Sequence, residues 1–370
     1  AFSVAAGDTL SLRQLLRSRL DNGMASAPAL LKTGPGTLEI RSAGADTDKN
    51  RAYPGGTTLR SGTLQLSEDD WGTLSGWTNP FNGRTYGATG GSLGYSPLTN
   101  AVVIGDSGTA PTDDLALIAN GGGRWIGHDI EVFNKGASVT VCMTTGTASF
   151  AGTLLLHRDV ALTGAADAVM SLGPIVRAGD FAGTGALALG GLAGLRFEGA
   201  VPAGTALDLG GRLLSFGTRA VAATSVSTLS LGSALQAATL EVDFGAGAND
   251  SVAVTAPDGL TLSNTLVNLY YAGSGLPFAE PGTYTLFTYS GTLGGDAALL
   301  SAGNPQSGAS YVFADDSANH RVTLTISGTS GGVGAVWINA SGGSWGLGAN
   351  WNSGLVPNGV TIAGTDLSGM

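Results

Sequence analysis

Two stretches near the start of the chain share one glycine-led pattern. They read Thr33-Gly-Pro-Gly-Thr-Leu-Glu-Ile40 and Tyr53-Pro-Gly-Gly-Thr-Thr-Leu-Arg-Ser-Gly-Thr-Leu-Gln-Leu66. Glycine adopts corner conformations that other residues avoid, and a period of two then places Leu38 with Ile40, or Leu64 with Leu66, on one face of a short strand. A corner and a strand that repeat in this way predict a parallel β-solenoid.

The composition fits many tight corners around a thin core. Glycine accounts for 61 of the 370 residues, 43% are hydrophobic and only 12% are charged, which is too apolar for a disordered chain and too rich in glycine for an ordinary globule. Short alternating segments that must stack on one another to bury their apolar faces follow between 113 and 244. These are Leu115–Ile118, Ile130–Phe133, Val139–Val141, Thr153–Leu156, Ala186–Leu189 and Leu207–Leu209.

The succession Gly-Thr-Leu, Tyr-x-Gly-Gly-Thr-Thr, Gly-Thr-Leu closely resembles the passenger-associated repeat of bacterial autotransporter proteins. The stretches 113–130 and 282–291 look like later parts of the same passengers, and the likeness is strongest at 28–66 and 113–330. The resemblance implies an all-β fold, a right-handed parallel β-helix, and secretion to the outside of a bacterial cell. It implies no single activity.

The chain divides into a predicted β-helix over 1–327, a glycine-rich link over 328–335 and a tryptophan-rich tail over 336–370. Leucines at helical spacing around Arg13 to Arg19 predict a short capping helix over one end. A long loop is expected over 67–112, where its rings either bind a ligand or pack back onto the coil. The loop aromatics are Trp71, Trp77, Phe81, Tyr86 and Tyr95.

Aromatic residues also accumulate between 250 and 327, where the solenoid is expected to widen or finish. Aromatic side chains suit an open apolar end because each covers a large area with few fixed torsions. The predicted capping rings are Tyr270, Tyr271, Phe278, Tyr284, Phe287, Tyr289, Tyr311 and Phe313.

Several partner classes are disfavoured by charge and hydropathy. With 17 Lys and Arg against 27 Asp and Glu, the formal net charge is −10 and no basic stripe is present, which argues against a nucleic-acid partner. No apolar run approaches the ~20 residues of a membrane-spanning helix. The single cysteine, Cys142, lies in an apolar strand and is expected to be a buried, inert thiol.

The residues with catalytic or metal-binding chemistry form no convincing site, so the chain is predicted to be neither an enzyme nor a cofactor protein. The acidic runs at 68–70, 113–114 and 315–316 are expected to be solvated corner residues. His128, His157 and His320 lack the spacing of a zinc site or a nucleophile triad. Gly245 to Asp250 faintly resembles a calcium turn without the repetition that such turns show.

These patterns predict a structural protein of the bacterial surface, a stalk that assembles end to end into a filament of identical subunits. Both ends of a solenoid expose backbone groups and apolar surface that must be capped or joined. The expected joints are Phe2 and Val4 at one end and Trp337, Trp345 and Trp351 at the other. If these segments are caps, the molecule is a monomeric stalk.

The alternative function is an adhesin, or a β-helix that binds or cleaves carbohydrate. It would act through the 67–112 loop, with cell-surface glycans as partners. Acidic residues converging beside the loop rings on one flank would favour the carbohydrate reading.

Overall fold

A computed structural model describes residues 1–12, 29–41, 56–67, 101–217 and 219–328, together with the backbone of two short strands at 77–78 and 85–86. The protein is all-β, with 56% of residues in strands and no α-helix among the described residues. Most strands pair in parallel, which is compatible with the predicted β-helix. The capping helix expected around Arg13 to Arg19, the 328–335 link and the 336–370 tail lie outside the described residues, except for Gly328.

Sheet A contains seven parallel strands, in the order β1-β3-β5-β9-β12-β15-β18. The strands are β1 (Phe2–Ser3), β3 (Leu30–Thr33), β5 (Thr57–Leu59), β9 (Val102–Ile104), β12 (Ile130–Val132), β15 (Leu154–Arg158) and β18 (Ile175–Ala182). The predicted loop over 67–112 is therefore too long at its far end, because β9 pairs with both β5 and β12 inside sheet A.

Sheet B also has seven parallel strands, in the order β19-β16-β13-β10-β6-β4-β2. The strands are β2 (Thr9–Leu12), β4 (Thr37–Ile40), β6 (Gly62–Leu66), β10 (Asp114–Ala119), β13 (Ser138–Met143), β16 (Ala161–Gly164) and β19 (Ala188–Gly190). The two glycine-led repeats lie side by side here, with Leu38 opposite Leu64 and Ile40 opposite Leu66. The prediction that each repeat consists of a glycine corner followed by a short strand is confirmed for both repeats.

Sheet C is the longest and runs from residue 124 to residue 302. Its parallel strands are β11 (Arg124–Ile126), β14 (Thr147–Phe150), β17 (Val169–Leu172), β20 (Gly194–Phe197), β22 (Leu213–Phe216), β25 (Ala238–Gly245), β29 (Thr265–Tyr271) and β32 (Leu300–Ala302), and β26 (Ala248–Asn249) pairs antiparallel with β25. From β9 to β20 the chain enters sheets A, B and C in turn, four times over, so each strand stacks on the equivalent strand of the previous turn.

Two smaller sheets take over beyond residue 200. Sheet D has four parallel strands: β21 (Ala206–Asp208), β24 (Thr228–Leu231), β28 (Leu260–Leu262) and β31 (Gly294–Gly295). Sheet E contains β23 (Ala223–Val226), β27 (Ser251–Pro257), β30 (Gly282–Ser290), β34 (Arg321–Gly328) and β33 (Ala309–Asp316). From β23 onward the chain enters sheets E, D and C in turn, so the stacking continues.

The last described strands break the parallel pattern. β34 pairs antiparallel with both β30 and β33. Two single-turn 3₁₀ helices, Ala297–Leu299 and Ser317–Asn319, lie beside these strands, and β7 (Trp77–Thr78) and β8 (Thr85–Tyr86) form a separate antiparallel pair. Among the described residues, the parallel stack thus ends in an antiparallel meander.

The core is a set of aliphatic rows that run across the strands. In sheet B the inward row reads Leu10, Leu38, Leu64, Leu117, Val141, Leu162 and Leu189, one residue from each strand. Leu38, Leu64, Leu117, Val141 and Leu162 are fully buried. Each side chain covers those of the turns before and after it, so burial depends on stacking rather than on any one strand.

Glycine permits this close stacking at the corners. Gly62 has a φ of +74°, a left-handed conformation that suits glycine. A Cβ built on Gly36 would lie 2.0 Å from the carbonyl oxygen of Ala5, in the preceding turn. Gly36 therefore keeps adjacent turns in contact.

Aromatic rings gather in the last turns of the stack. The rings of Phe244 and Phe278 are parallel with centroids 4.1 Å apart, and Tyr271 and Tyr284 meet Phe278 edge to face. Phe287 is fully buried and Phe313 is nearly so.

Candidate functional site

The N-terminal end of the stack leaves apolar surface uncovered among the described residues. Within the described ranges, β1 pairs only with β3, and β2 pairs only with β4. Leu10 belongs to the inward row of sheet B but remains 40% exposed, whereas Leu38 beneath it is fully buried. Phe2 lies opposite Lys32 at the same end and is half-buried. Leu10 and Phe2 form what we call the open edge.

The predicted interface residues behave differently from one another. Val4 is buried within its own chain, where its N–H donates to the Thr33 carbonyl at 3.1 Å and its carbonyl accepts from the Gly36 N–H at 2.9 Å. Phe2 remains accessible, and sequence reasoning missed Leu10. Trp337, Trp345 and Trp351 lie outside the described residues.

A fully buried lysine supports the turn below the open edge. Lys32 occupies the inward row of sheet A, in line with Leu59, Ile104 and Val132. Its Nζ donates to the carbonyls of Thr33 (2.9 Å), Gly34 (2.6 Å) and Ser61 (2.9 Å). Burial lowers the pKa of Lys32 to about 8. This ammonium joins two consecutive corners of the stack.

The predicted ligand-binding loop is described only in part. Trp71, Phe81 and Tyr95 lie outside the described residues. Trp77 and Tyr86 are register partners in the antiparallel pair formed by β7 and β8. Two of the five predicted positions are therefore adjacent in the backbone.

Sequence reasoning missed a network of charged side chains on the outer face of sheet C. Glu241 and Asp243 alternate with the inward residues of β25, yet both are buried. Arg196 donates from Nη2 to Glu241 Oε1 at 3.2 Å, and Arg219 donates from Nη1 to Asp243 Oδ1 at 3.1 Å. The Arg219 guanidinium carbon also lies 3.8 Å from the centroid of the Tyr270 ring.

Asp250 ties this network to the neighbouring segment of chain. Its Oδ1 accepts from the Ala222 N–H at 2.6 Å and its Oδ2 accepts from the Asp243 N–H at 2.8 Å. Burial raises the pKa of Asp250 to about 7, although both N–H donors oppose the shift. Burial likewise raises the pKa of Asp243 against the opposing effect of Arg219. These contacts give Asp250 a structural role.

His157 is held between two carboxylates on the outside of sheet A. Its Nδ1 faces Asp180 Oδ1, and its Nε2 lies 3.1 Å from Glu131 Oε1. The ring stacks on Phe133 with centroids 4.7 Å apart. His157 of β15 therefore links Glu131 of β12 to Asp180 of β18. His128 is buried, and His320 lies at the other end of the molecule.

Two minor expectations have different outcomes. Asp113 acts as a corner residue, since Oδ1 accepts from Ser61 Oγ at 3.1 Å and Oδ2 accepts from the Ala110 N–H at 3.0 Å. The prediction that the Cys142 thiol is buried is wrong. Cys142 is half-buried, because Val141 and Met143 take the inward positions of β13 and Cys142 points outward. Residues 68–70 lie outside the described residues.

Within the described ranges, no group of three or more His, Cys, Asp or Glu side chains could hold a metal ion. No helix in that part of the chain is long and apolar enough to cross a membrane. Neither a family model, nor a curated protein, nor a solved structure matches this sequence. Function must therefore be inferred from the contacts of this chain itself.

Proposed function

We propose that this protein is a right-handed parallel β-helix that serves as an elongated stalk on the outside of a bacterial cell and joins end to end into a filament. The passenger-like repeats at 28–66 support the secreted location. The parallel stack of sheets A, B and C supports the shape.

The observation that best supports end-to-end assembly is the open edge. Leu10 continues an aliphatic row whose next members are fully buried, yet 40% of its own surface is exposed. Strand edges that lack a partner also present backbone donors and acceptors to another chain. A second molecule that covers this edge would extend the row by one more turn.

The two ends of the described structure differ, which favours a directional polymer. β33 is the last strand of sheet E and carries Asp315 and Asp316 at its end. Charged edges of this kind resist strand pairing. We therefore propose that the open edge of one molecule is covered by the 336–370 tail of the next. This contact is heterologous, so it forms an open filament.

The test is electron microscopy of the purified chain at several concentrations. The unchanged protein and a Leu235→Glu control, which alters a side chain 95% exposed elsewhere, are expected to form long fibres. Leu10→Glu and a chain lacking 336–370 are expected to remain single rods, because a buried charge or a missing tail prevents joining. Fibres of normal length from the truncated chain would contradict the proposal.

The surface location is tested separately. An antibody against the chain should label intact cells of the bacterium that produces it, and protease added outside those cells should remove the label. Labelling that appears only after the cells are broken would overturn the secreted part of the proposal.

A second candidate function is adhesion, or carbohydrate binding, through the aromatic loop. The observation that favours it is the pairing of Trp77 with Tyr86, which brings two predicted ligand-binding positions together. Trp71→Ala and Trp77→Ala should abolish attachment to glycan-coated surfaces while fibres form normally. Attachment that survives both substitutions would rule out this role for the loop.

A further inference from the structure

The backbone pairing between turns is interrupted at residues 198–205, which we call the break. Sheets A and B end at β18 and β19, and sheets D and E begin at β21 and β23. Within the described ranges, no strand of sheet A pairs with a strand of sheet E. Sheet C continues as a ladder, because β20 pairs with β22 from Gly194 to Phe197. The turns before and after the break therefore share one full ladder.

The local sequence explains why no strand forms where sheet A would continue. After β20 the chain passes from 198 to 205 without a strand. Pro202 has no N–H to donate to a ladder, and its carbonyl accepts from the Thr205 N–H at 2.9 Å to close a turn. The Ile175 N–H donates to the Ala200 carbonyl at 2.9 Å, which links the start of β18 to this segment. A turn has replaced a ladder strand at this position of the stack.

The backbone connection between sheets B and D is short as well. An isolated bridge pairs Ala186 with Ala206. The two hydrogen bonds here are long: the Ala206 N–H donates to the Gly185 carbonyl at 3.2 Å, and the Leu187 N–H donates to the Ala206 carbonyl at 3.3 Å. Apolar packing does continue, since Leu187 and Leu207 are both buried in the core. From β9 to β20, by contrast, adjacent turns share three ladders.

The Arg177 side chain connects the two sides of the break. Arg177 pairs with Leu156 of the inward row, in the last strand of sheet A. Its Nη2 donates to the Gly185 carbonyl at 2.9 Å and to Thr205 Oγ1 at 3.0 Å. Gly185 precedes the break, whereas Thr205 is its last residue and is buried. One guanidinium therefore fastens the turn before the break to the turn after it.

A linear array of turns separates most easily where the contact between neighbouring turns is weakest. We propose that the turns before residue 198 and the turns after residue 205 form two cooperative folding units that meet at the break, with Arg177 as the residue that fastens them. Each unit buries aliphatic residues of its own, such as Leu162 in the first and Leu229 in the second. A stalk of this kind yields at one defined place under load and keeps both units folded.

The first test is native-state hydrogen exchange of the full chain in moderate urea, where the opening of whole units dominates exchange. Leu162→Ala removes a fully buried side chain before the break, and Leu229→Ala removes one after it. Each is expected to speed exchange about thirtyfold or more in its own unit and less than about threefold in the other. The two variants control for each other, because they are the same change at equal burial. Equal acceleration throughout the described strands in both variants would overturn the proposal.

The role of Arg177 is tested by Arg177→Met, which keeps an apolar stem and removes the guanidinium. Amides at 185–187 and 205–207, on the two sides of the break, are expected to exchange about fivefold faster or more. Arg158→Met is the matched control, since Arg158 donates to the carbonyls of 135–137 inside the first unit. It should leave exchange at the break unchanged. Equal exchange there in Arg177→Met and the unchanged protein would show that Arg177 does not fasten the units.

The unchanged chain provides a second measurement that no folding defect of a variant can obscure. Single molecules pulled from their two ends in an optical trap are expected to lengthen in two main steps, whose sizes follow the residue ranges of the two units. One single step, or one small step for each turn, would contradict the division into two units. Neither measurement depends on fibre formation or on the secreted location, so each result is independent of the proposed function.

Discussion

At the scale of single residues, Asp250 makes stability depend on pH. Burial raises its pKa in the folded protein to about 7, above the value of 3.8 for an unperturbed aspartate. Between these values the folded protein binds more protons than the unfolded chain, so the stability that this group contributes falls as pH rises from about 4 to about 7. The measurement is the free energy of unfolding of the unchanged protein minus that of Asp250→Asn at each pH. This difference should fall by on the order of 2–4 kcal/mol across that window.

Asn249→Ala is the control that separates an effect of titration on stability from an effect of lost hydrogen bonds. Asn249 donates from Nδ2 to the carbonyls of Asp250 at 2.7 Å and Thr285 at 2.9 Å, but it does not titrate. Asn249→Ala should therefore be less stable than the unchanged protein by the same amount at every pH. A deficit in Asp250→Asn that is equally flat from pH 4 to pH 7 would show that Asp250 is ionised throughout.

Residues such as Asp243 and Lys32 show what the sequence alone cannot predict. In β25, Asp243 falls on the outward side of the alternation, and a carboxylate there suggests solvent. It is buried because Arg219 and Asp250, from other turns of the chain, lie against it. Lys32 takes an inward position only because three corner carbonyls accept from its ammonium. Both outcomes depend on contacts between turns, which spacing along the chain does not encode.

At the scale of elements, His157 fastens a bulge in β18. Leu156 pairs with Arg177 and Arg158 pairs with Ala182, so His157 alone faces the four residues 178–181. Its Nδ1 contacts Asp180 Oδ1 inside the bulge, and its Nε2 lies 3.1 Å from Glu131 Oε1 on the neighbouring strand β12. His157→Gln should weaken these contacts, because one amide NH₂ group replaces two ring nitrogens on different sides of the ring. Amide hydrogen exchange in 178–181 should therefore rise several-fold in this variant relative to the unchanged protein.

Thr140→Val is the control for this element, since Thr140 lies on the outer side of β13 in sheet B, away from the bulge. It should leave exchange in 178–181 unchanged. Equal exchange in His157→Gln and the unchanged protein would show that backbone pairing alone holds the bulge.

Elements differ in how far their sequence predicts them. The glycine-led strands β4 and β6 are predictable because a corner glycine and a period of two both occur within a few residues. Of the six segments predicted between 115 and 209, two lie within strands β10 and β13, and the other four overlap β12, β15, β19 and β21. The hydrogen bond from Tyr289 to Asp315 is not predictable in this way, because these residues meet only when β34 pairs antiparallel with both of their strands.

At the scale of the whole molecule, the stability that a core substitution removes should depend on where the residue lies along the stack. Leu64 is fully buried between Leu38 and Leu117. Among the described residues Leu10 has a row neighbour on one side only, Leu38, and it is 40% exposed. Leu64→Ala should lower the free energy of unfolding by about 2–5 kcal/mol, because it leaves a cavity against two turns. Leu10→Ala should cost less than about 1 kcal/mol and only increase fraying of β1 and β2, because in a linear array each turn contacts only its neighbours.

Leu162 supplies the matched comparison, as it is the same residue type, equally buried, in the same row and further along the stack. Urea unfolding followed by far-UV circular dichroism should place Leu162→Ala with Leu64→Ala, and regional hydrogen exchange should confine the Leu10→Ala effect to the first turns. If all three substitutions cost the same, the end turn is as well covered in solution as the middle ones. The open edge would then already be capped within one molecule, and the case for a filament built on that edge would fail with it.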